Sequence, residues 1–234
     1  MCGRIGQYLP SSYLEQFFHI DRFADNVPEN YNLAPTETAM VVRIDPATGK
    51  RAITVMKWGL VPYFSKTGKM DYATFNARCE GVEKAASFRA AYKSRRCIVP
   101  ADLYYEWKPL DDKKPAKQPY AVARADGEPL LLAGLWESWK PPAAESADAP
   151  EGQTVRSFTI LTTASKPGSK MADLHHRMPM ILAPEDVDLW LGEREGDLPG
   201  LMKPCPDEWL KMWKVGSKVG NPRNKERSLI DEVA

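Results

Sequence analysis

The hydrophobic positions fall mostly into short strand-like runs, and few segments show the spacing of a helix. Runs rich in β-branched and aromatic residues and bounded by turn residues predict strands. They are AMVVRI, RAITVM, RCIVPADLYYEW, PYAVARAD, PLLLAGLWESW and SFTILTTA. The first two flank Asp-Pro-Ala-Thr-Gly-Lys, whose proline and glycine predict a turn and therefore a hairpin. Strands are expected to dominate the chain.

Helical patterns are confined to a few segments. In residues 11–19 apolar side chains recur at i, i+3 and i+4, and Ser11 or Ser12 is the expected N-cap. Residues 82–93 have helix-forming composition. PEDVDLWLG, opened by Pro184, and PDEWLKMW also predict helices, and the later segment GNPRNKERS is interpreted as a solvated, basic tail.

The fold class expected from this pattern is α+β. A chain of 234 residues often folds as one unit, so we expect a single compact mixed domain over residues 1–234 with a β-rich, mostly antiparallel core. Residues 140–153, KPPAAESADAPEGQ, lack apolar periodicity and predict a mobile surface loop. A domain linker is the rejected alternative there, because SFTILTTA continues the core.

Composition and charge argue against two classes of protein, those that coat nucleic acid and those that span a membrane. The chain is 43% hydrophobic and has a formal net charge of +1, which argues against coating nucleic acid by bulk charge; any DNA contact must be local. No apolar run approaches the roughly 18 residues that span a bilayer, and the start lacks a signal-peptide pattern. We therefore expect no membrane partner and a cytoplasmic location.

No metal or cofactor is expected. The chain has 3 histidines and 4 cysteines, and the cysteines show no C-x-x-C spacing. The adjacent His175 and His176 rarely reach one ion together. Cys79, Cys97 and Cys205 are interpreted as inert thiols, and nothing indicates an oligomer, so a monomer is expected.

The start Met-Cys carries the first candidate chemistry. Removal of Met1 would leave Cys2 with a free amine and a thiol on one residue, with ordinary pKa values of about 8 and about 8.5. Such a pair reacts with an aldehyde: the amine forms a Schiff base, and the thiol then closes a five-membered thiazolidine. An incidental second residue is the alternative interpretation.

Motifs along the chain support the first interpretation. Met-Cys-Gly-Arg, YNLAPT at 31–36, KWGLVP at 57–62, FNAR at 75–78, YYEW at 104–107, LHHRMP at 174–179 and VGNPRN at 219–224 occur in this order. The chain thereby resembles the SRAP family, the SOS-response-associated peptidases or abasic-site-processing proteins. The resemblance runs nearly end to end. It implies a compact mixed domain with a β-rich core.

The resemblance also implies roles for four catalytic residues. Cys2 matches the nucleophile that crosslinks to the ring-opened sugar, and Asn76 the side chain that positions the amine. Glu106 matches the acid-base glutamate, and His175 matches the histidine that helps to open the sugar. These residue types suit the chemistry independently, since imine formation requires proton transfers and histidine titrates near neutrality. His176 is not expected to be catalytic.

The expected partner is single-stranded DNA that contains an abasic site. The lesion lacks a base, so recognition must rest on the backbone and on stacking of neighbouring bases. By family resemblance, the phosphate-binding candidates are Arg4, Arg78 and Arg177. Trp58 and Pro62 are expected to form an apolar wall for stacking, although Trp58 also suits a core position.

The resemblance implies a covalent thiazolidine crosslink that shields the lesion during the DNA damage response, together with abasic-site lyase and self-processing peptidase activities. On DNA in a bacterium, the protein would be associated with the nucleoid. Two alternatives stay open. One is an N-terminal-nucleophile amidohydrolase or peptidase, which an N-terminal cysteine also suits. The other is a non-covalent reader of modified DNA.

Overall fold

The computed structural model describes residues 2–21, 23, 25, 27–110, 116–141 and 154–234. The strands are β1 (Ile5–Gln7), β2 (Asn30–Leu33), β3 (Thr38–Ile44), β4 (Arg51–Trp58), β5 (Asn76–Arg78), β6 (Arg96–Ala101), β7 (Leu103–Pro109), β8 (Lys117–Arg124), β9 (Leu130–Trp139), β10 (Val155–Ala164), β11 (Arg177–Pro179) and β12 (Leu210–Lys214). The α-helices are α1 (Ser11–Phe18), α2 (Arg89–Ser94), α3 (Lys170–Leu174) and α4 (Val187–Leu191). In these described ranges, no helix is long and apolar enough to cross a bilayer.

The strands form two sheets. One has five strands in the order β12-β8-β7-β1-β2. In the other, β10, β4, β3, β6 and β9 close into a ring, because β9 pairs with β10, and β5 and β11 also pair with β10. The pairs of β10 with β4 and with β5 are parallel, and the other strand pairs are antiparallel. This confirms the predicted α+β class and its mostly antiparallel core.

A shared apolar core joins the two sheets. It contains side chains from β1 and β7 of the first sheet together with others from β4 and β10 of the second. Cys2, Tyr104, Trp58 and Phe158 all belong to this core and are fully buried. The beginning of the chain is therefore fixed between the sheets, where side chains from both can reach it.

Several local predictions are confirmed. The hairpin is formed by β3 and β4, in antiparallel register from Thr38 opposite Lys57 to Ile44 opposite Arg51. Helix α1 lies within residues 11–19, although Pro10 occupies the N-cap position and no side chain caps it. The helix predicted after Ala183 is a 3₁₀ turn, Pro184–Asp186, that runs directly into α4.

Two helix predictions need correction. Of residues 82–93 only the last part is α-helical, and the preceding segment forms successive turns. In these turns Ser87 is buried and Ala86 is exposed, so the expected apolar face does not form. PDEWLKMW is a 3₁₀ turn followed by β12, whose pairing with the edge of β8 overrides its helical spacing. The loop predicted at 140–153 lies mostly outside the described residues.

Candidate active site

Cys2 lies at the junction of the two sheets and is held by Asn76. It precedes β1, which pairs with β7, whereas Asn76 begins β5 in the other sheet. The Asn76 Nδ2 group donates a hydrogen bond of 2.6 Å to the main-chain carbonyl of Cys2. Asn76 Oδ1 is buried and has no hydrogen-bond partner among the described residues. One acceptor therefore stays available beside the start of the chain.

Packing against β10 and Trp58 fixes the position of Asn76. In the parallel β5–β10 pair, Asn76 lies opposite Ile160. The indole Nε1 of Trp58 donates a 2.8 Å hydrogen bond to the carbonyl of Phe75, the residue before Asn76. The Trp58 ring also stacks on Phe158, with centroids 6.1 Å apart and planes at 8°. Trp58 thus supports the strand that carries Asn76.

Glu106 lies on β7 and is 4% exposed. Its Oε1 accepts a 3.3 Å hydrogen bond from the amide of Trp107. Burial raises the pKa of the Cys2 thiol to about 12, and the nearby charge of Glu106 adds to this effect. The thiol of the unprocessed chain is therefore protonated at neutral pH.

His175 directly follows α3, whose N-cap is Ser169. Its Nδ1 lies 3.0 Å from both the amide nitrogen and the carbonyl oxygen of Arg177. A neutral ring can therefore accept from the amide through Nδ1, with its proton on Nε2, or donate from Nδ1 to the carbonyl, with its acceptor lone pair on Nε2. Burial lowers the pKa of His175, and the charge of Glu106 opposes that shift. The exposed His176 stacks on His175, with centroids 4.4 Å apart.

The structure thus brings together the four residues that the sequence selects as catalytic. Cys2 and Asn76 are in direct contact. The charge of Glu106 acts on both Cys2 and His175. In chemical terms, the cluster combines a thiol, an unpartnered amide oxygen, a buried carboxylate and an imidazole suited to proton transfer.

The three arginine candidates occupy different settings. Arg78 is exposed and its side chain makes no hydrogen bond or ion pair with another described residue. Arg177 is 7% exposed, and its guanidinium bonds both carboxylate oxygens of Glu80, at 2.8 and 2.9 Å, and also Thr162. Of these two arginines, Arg78 presents its charge to solvent, whereas the guanidinium of Arg177 is buried and already paired with Glu80.

Arg4 is half-buried and bonded within the fold. Its Nη1 donates to Asn32 Oδ1 at 2.9 Å and to the carbonyl of Val219 at 2.8 Å. Its guanidinium also lies over the ring of Trp107, 5.8 Å from the centroid. Contact of Arg4 with phosphate stays a prediction.

The predicted apolar wall requires correction. Trp58 is fully buried and Pro62 is also buried, so Trp58 takes the core position that the sequence left open. The exposed aromatic side chains follow immediately: Tyr63 is 60% and Phe64 46% exposed, with ring centroids 5.5 Å apart. Tyr72 is exposed as well. The sequence shows two adjacent aromatic residues after KWGLVP, but their exposure follows from the path of the chain after β4.

A cleft of about 240 Å³ lies beside Tyr72, one of these exposed rings. Phe75, the neighbour of Asn76, lines it together with Tyr72 and two exposed lysines, Lys57 and Lys69. Aromatic faces and cationic side chains are what a nucleic-acid strand requires for stacking and phosphate contact.

The remaining cysteines lie in the interior of the protein. Cys79, Cys97 and Cys205 are free and buried. In the part of the chain that the structure describes, no three His, Cys, Asp or Glu side chains group together as a metal site would require.

Known proteins resemble this chain over its whole length. Abasic site processing protein YoqW of Bacillus subtilis (strain 168) is 34% identical over 239 residues, covering 99% of each chain. Abasic site processing protein HMCES of Pongo abelii is 30% identical over 280 residues, covering 100% of this chain and 76% of the relative.

Solved structures share the fold. A crystal structure of a protein from Bacteroides thetaiotaomicron matches with a TM-score of 0.79 at 20% identity and full coverage of both chains, which is evidence for the fold alone. One from Bordetella bronchiseptica matches with a TM-score of 0.75 at 25% identity, covering 92% of this chain and 100% of the other. The family model "SOS response associated peptidase (SRAP)" matches residues 1–222, and the chain therefore belongs to the SRAP family.

Proposed function

We propose that this protein processes abasic sites in DNA by forming a covalent bond between the mature N-terminal Cys2 and the sugar aldehyde. The observation that carries the proposal is the anchoring of the buried Cys2 by Asn76, in a cluster that also contains the buried Glu106 and the half-buried His175. Relatives named abasic site processing proteins match nearly the whole chain and support the same substrate.

The proposed reaction balances without an oxidant or a cofactor. Once Met1 is removed, the amine of Cys2 attacks the aldehyde carbon of the ring-opened sugar, and loss of one water gives an imine. The thiol sulfur then adds to the imine carbon, and its proton passes to the nitrogen, which closes the thiazolidine. Because the thiol pKa is about 12 in the unprocessed chain, we infer that the amine reacts first and the sulfur second.

Three side chains have roles in these steps. Asn76 holds the carbonyl of Cys2, and its unpartnered Oδ1 can accept a hydrogen bond from the new amine. Glu106 removes a proton from the ammonium and returns one to the departing hydroxyl. His175 exchanges the proton of the sugar ring oxygen at Nε2, which carries the acceptor lone pair when Nδ1 donates to the carbonyl of Arg177.

The DNA strand is proposed to be single-stranded near the lesion and to run along the cleft beside Asn76. Tyr63, Phe64 and Tyr72 offer exposed rings for stacking, and Lys57 and Arg78 offer charge for the phosphates. This surface replaces the buried Trp58 as the stacking candidate. We propose that the protein acts on DNA as a monomer.

Two further activities follow from the same chemistry. The imine makes the sugar prone to β-elimination, so weak strand cleavage is proposed when ring closure is slow. Removal of Met1 by the protein itself, in keeping with the peptidase name of the family, would also require Glu106. If Glu106→Gln is purified from cells with Met1 fully removed, as measured by intact mass, self-cleavage through Glu106 is ruled out.

Mature protein incubated with a single-stranded oligonucleotide that carries one abasic site tests the proposal. We expect a crosslink that survives heating without borohydride and an intact mass equal to protein plus DNA minus one water. Cys2→Ala should give no heat-stable product. Equal crosslinking by Cys2→Ala, or by protein that retains Met1, would overturn the proposal.

A matched substrate separates capture from binding. A tetrahydrofuran analogue has no aldehyde, so it should bind with similar affinity and form no crosslink. If the affinity depends on neither Cys2 nor the aldehyde and no covalent product forms with the abasic oligonucleotide, the protein is a non-covalent reader.

A further inference from the structure

Two sequence motifs have no part in the proposed chemistry, YNLAPT at 31–36 and VGNPRN at 219–224. The structure joins them at Asn32, which is fully buried. The Asn32 Nδ2 group faces three main-chain carbonyls, those of Val219, Asn221 and Asn224, at 3.2, 3.0 and 2.9 Å. We call residues 217–225 the C-terminal clasp. This segment is bonded to the fold and is not the solvated tail that its composition predicts.

Arg4 links the clasp to the active site. Asn32 Oδ1 and the carbonyl of Val219 both accept from Arg4 Nη1. The main-chain carbonyl of Arg4 accepts a 2.9 Å hydrogen bond from the amide of Tyr105, the neighbour of Glu106. Arg4 is therefore fixed through its side chain to the clasp and through its main chain to β7, only two residues from Cys2.

A second contact secures the clasp. Lys225 Nζ donates to both carboxylate oxygens of Glu37, each at 2.7 Å, and to the main-chain carbonyl of Asn32 at 2.8 Å. The main-chain carbonyl of Glu37 in turn accepts from the amide of Trp58 at 2.8 Å. The clasp is thus connected through Arg4 to β7, which carries Glu106, and through Glu37 to β4, which ends at Trp58.

We propose that Arg4 and Asn32 are positioning residues, through which the clasp sets the place of Cys2 relative to Glu106 and Asn76. This inference rests on the proposed function and gives Arg4 a role other than phosphate contact. Misplacement of reacting groups by about 1 Å lowers a rate by about 100-fold. Loss of the clasp contact should therefore slow ring closure more than it weakens DNA binding.

Single-turnover crosslinking separates these effects, because it yields the rate constant at saturating DNA and the DNA concentration at half-saturation. Arg4→Ala and Asn32→Ala should each lower the rate constant about 10- to 100-fold, as expected for lost hydrogen bonds to a charged group. Half-saturation and its salt dependence should be unchanged. The double variant should be no slower than the slower single variant, because both act through one contact.

Arg223→Ala is the matched control, since it removes an exposed arginine from the same clasp. Its rate constant should equal that of the unmodified protein. If Arg4→Ala keeps the rate constant but weakens DNA binding and reduces the salt slope by about 1, Arg4 is a phosphate contact and the inference fails. Multiplicative effects in the double variant would also contradict it.

Circular dichroism reports whether each variant folds. Should Asn32→Ala fail to fold, Arg4→Gln carries the test alone, because it keeps an amide donor but loses the Nη1 group that bonds both Asn32 and Val219. An unchanged rate constant for Arg4→Gln overturns the inference. If the unmodified protein forms no Cys2-dependent adduct, the proposed function fails and the positioning role falls with it; if it does and the variants match it, only the positioning role fails.

Discussion

The side-chain amide of Asn76 donates a 2.6 Å hydrogen bond to the main-chain carbonyl of Cys2, so β5 of one sheet holds the segment that precedes β1 of the other. The contact leaves Asn76 Oδ1 buried and without a hydrogen-bond partner among the described residues. Asn76 therefore fixes the carbonyl of Cys2 and retains an acceptor, to which we assign the amine that removal of Met1 would create.

Asn76→Ala tests this relationship. Removing one partner of a buried hydrogen bond costs about 1–3 kcal/mol, which corresponds to a crosslinking rate about 5- to 160-fold lower. The measurement is single-turnover crosslinking to an abasic oligonucleotide, with Gln16→Ala as a control that removes an exposed amide. A rate equal to that of the unmodified protein would show that the contact does not matter for catalysis.

Trp58 and the pair Tyr63 and Phe64 should separate stability from DNA binding. Trp58→Phe leaves the carbonyl of Phe75 without its indole partner and should lower the free energy of unfolding by about 1–3 kcal/mol, measured by denaturant titration. Its DNA affinity should be unchanged.

The double variant Tyr63→Ala/Phe64→Ala should show the reverse. These exposed rings contribute little to stability, but loss of base stacking weakens binding by about 1–3 kcal/mol per ring. Binding to the tetrahydrofuran oligonucleotide measures this without the covalent step. If Trp58→Phe weakens binding and the double variant does not, the corrected stacking surface is wrong.

The contrast between these aromatic residues shows what the sequence could and could not predict. Lys57 is exposed between the buried Met56 and Trp58. This alternation of polar and apolar residues is visible in the sequence, so the burial of Trp58 could be predicted from it. The exposure of Tyr63 depends on the path of the chain after β4, which no local pattern records.

The same division applies to the fold and the site. Local runs of apolar residues predict most strands and the hairpin. In contrast, β12 forms because it pairs with the edge of β8, and even its nearest paired residues along the chain, Leu210 and Arg124, are 86 positions apart. Motif resemblance selected Cys2, Asn76, Glu106 and His175 as candidates. It did not reveal the contacts of Asn32 with the clasp, where Asn32 and Val219 are 187 positions apart. Spacing in the sequence contains no signal for such pairs.

Asp102 should make stability depend on pH. Its Oδ2 accepts from the amides of Tyr8 and Leu9 at 2.7 and 3.1 Å, yet burial raises its pKa from 3.8 to about 6. The folded state therefore binds more protons than the unfolded state between these values, and stability falls as the pH rises through this window. Relative to Asp102→Asn, the unmodified protein should gain stability as the pH is lowered from 7 to about 4.

Denaturant titrations at several pH values measure this difference. Asp71→Asn, which changes an exposed aspartate, is the control and should show no comparable change. A difference between the unmodified protein and Asp102→Asn that is constant with pH, or that grows in favour of the unmodified protein at high pH, would contradict the assignment.

His175 should determine how far catalysis persists into acid. Burial lowers its pKa, so the ring stays neutral below the ordinary range of histidine, near 6.5, and can continue to accept the proton of the sugar hydroxyl. The ratio of the crosslinking rate of the unmodified protein to that of His175→Ala cancels the titration of the Cys2 amine, which both proteins share. This ratio should be constant from neutral pH to about 6.5 and fall only below it, as the ring becomes protonated.

His176→Ala, which removes the exposed stacking neighbour, should keep a rate close to that of the unmodified protein. A ratio that is independent of pH down to about 4 would remove His175 from proton transfer, because an imidazole in that role must lose its function when it is protonated.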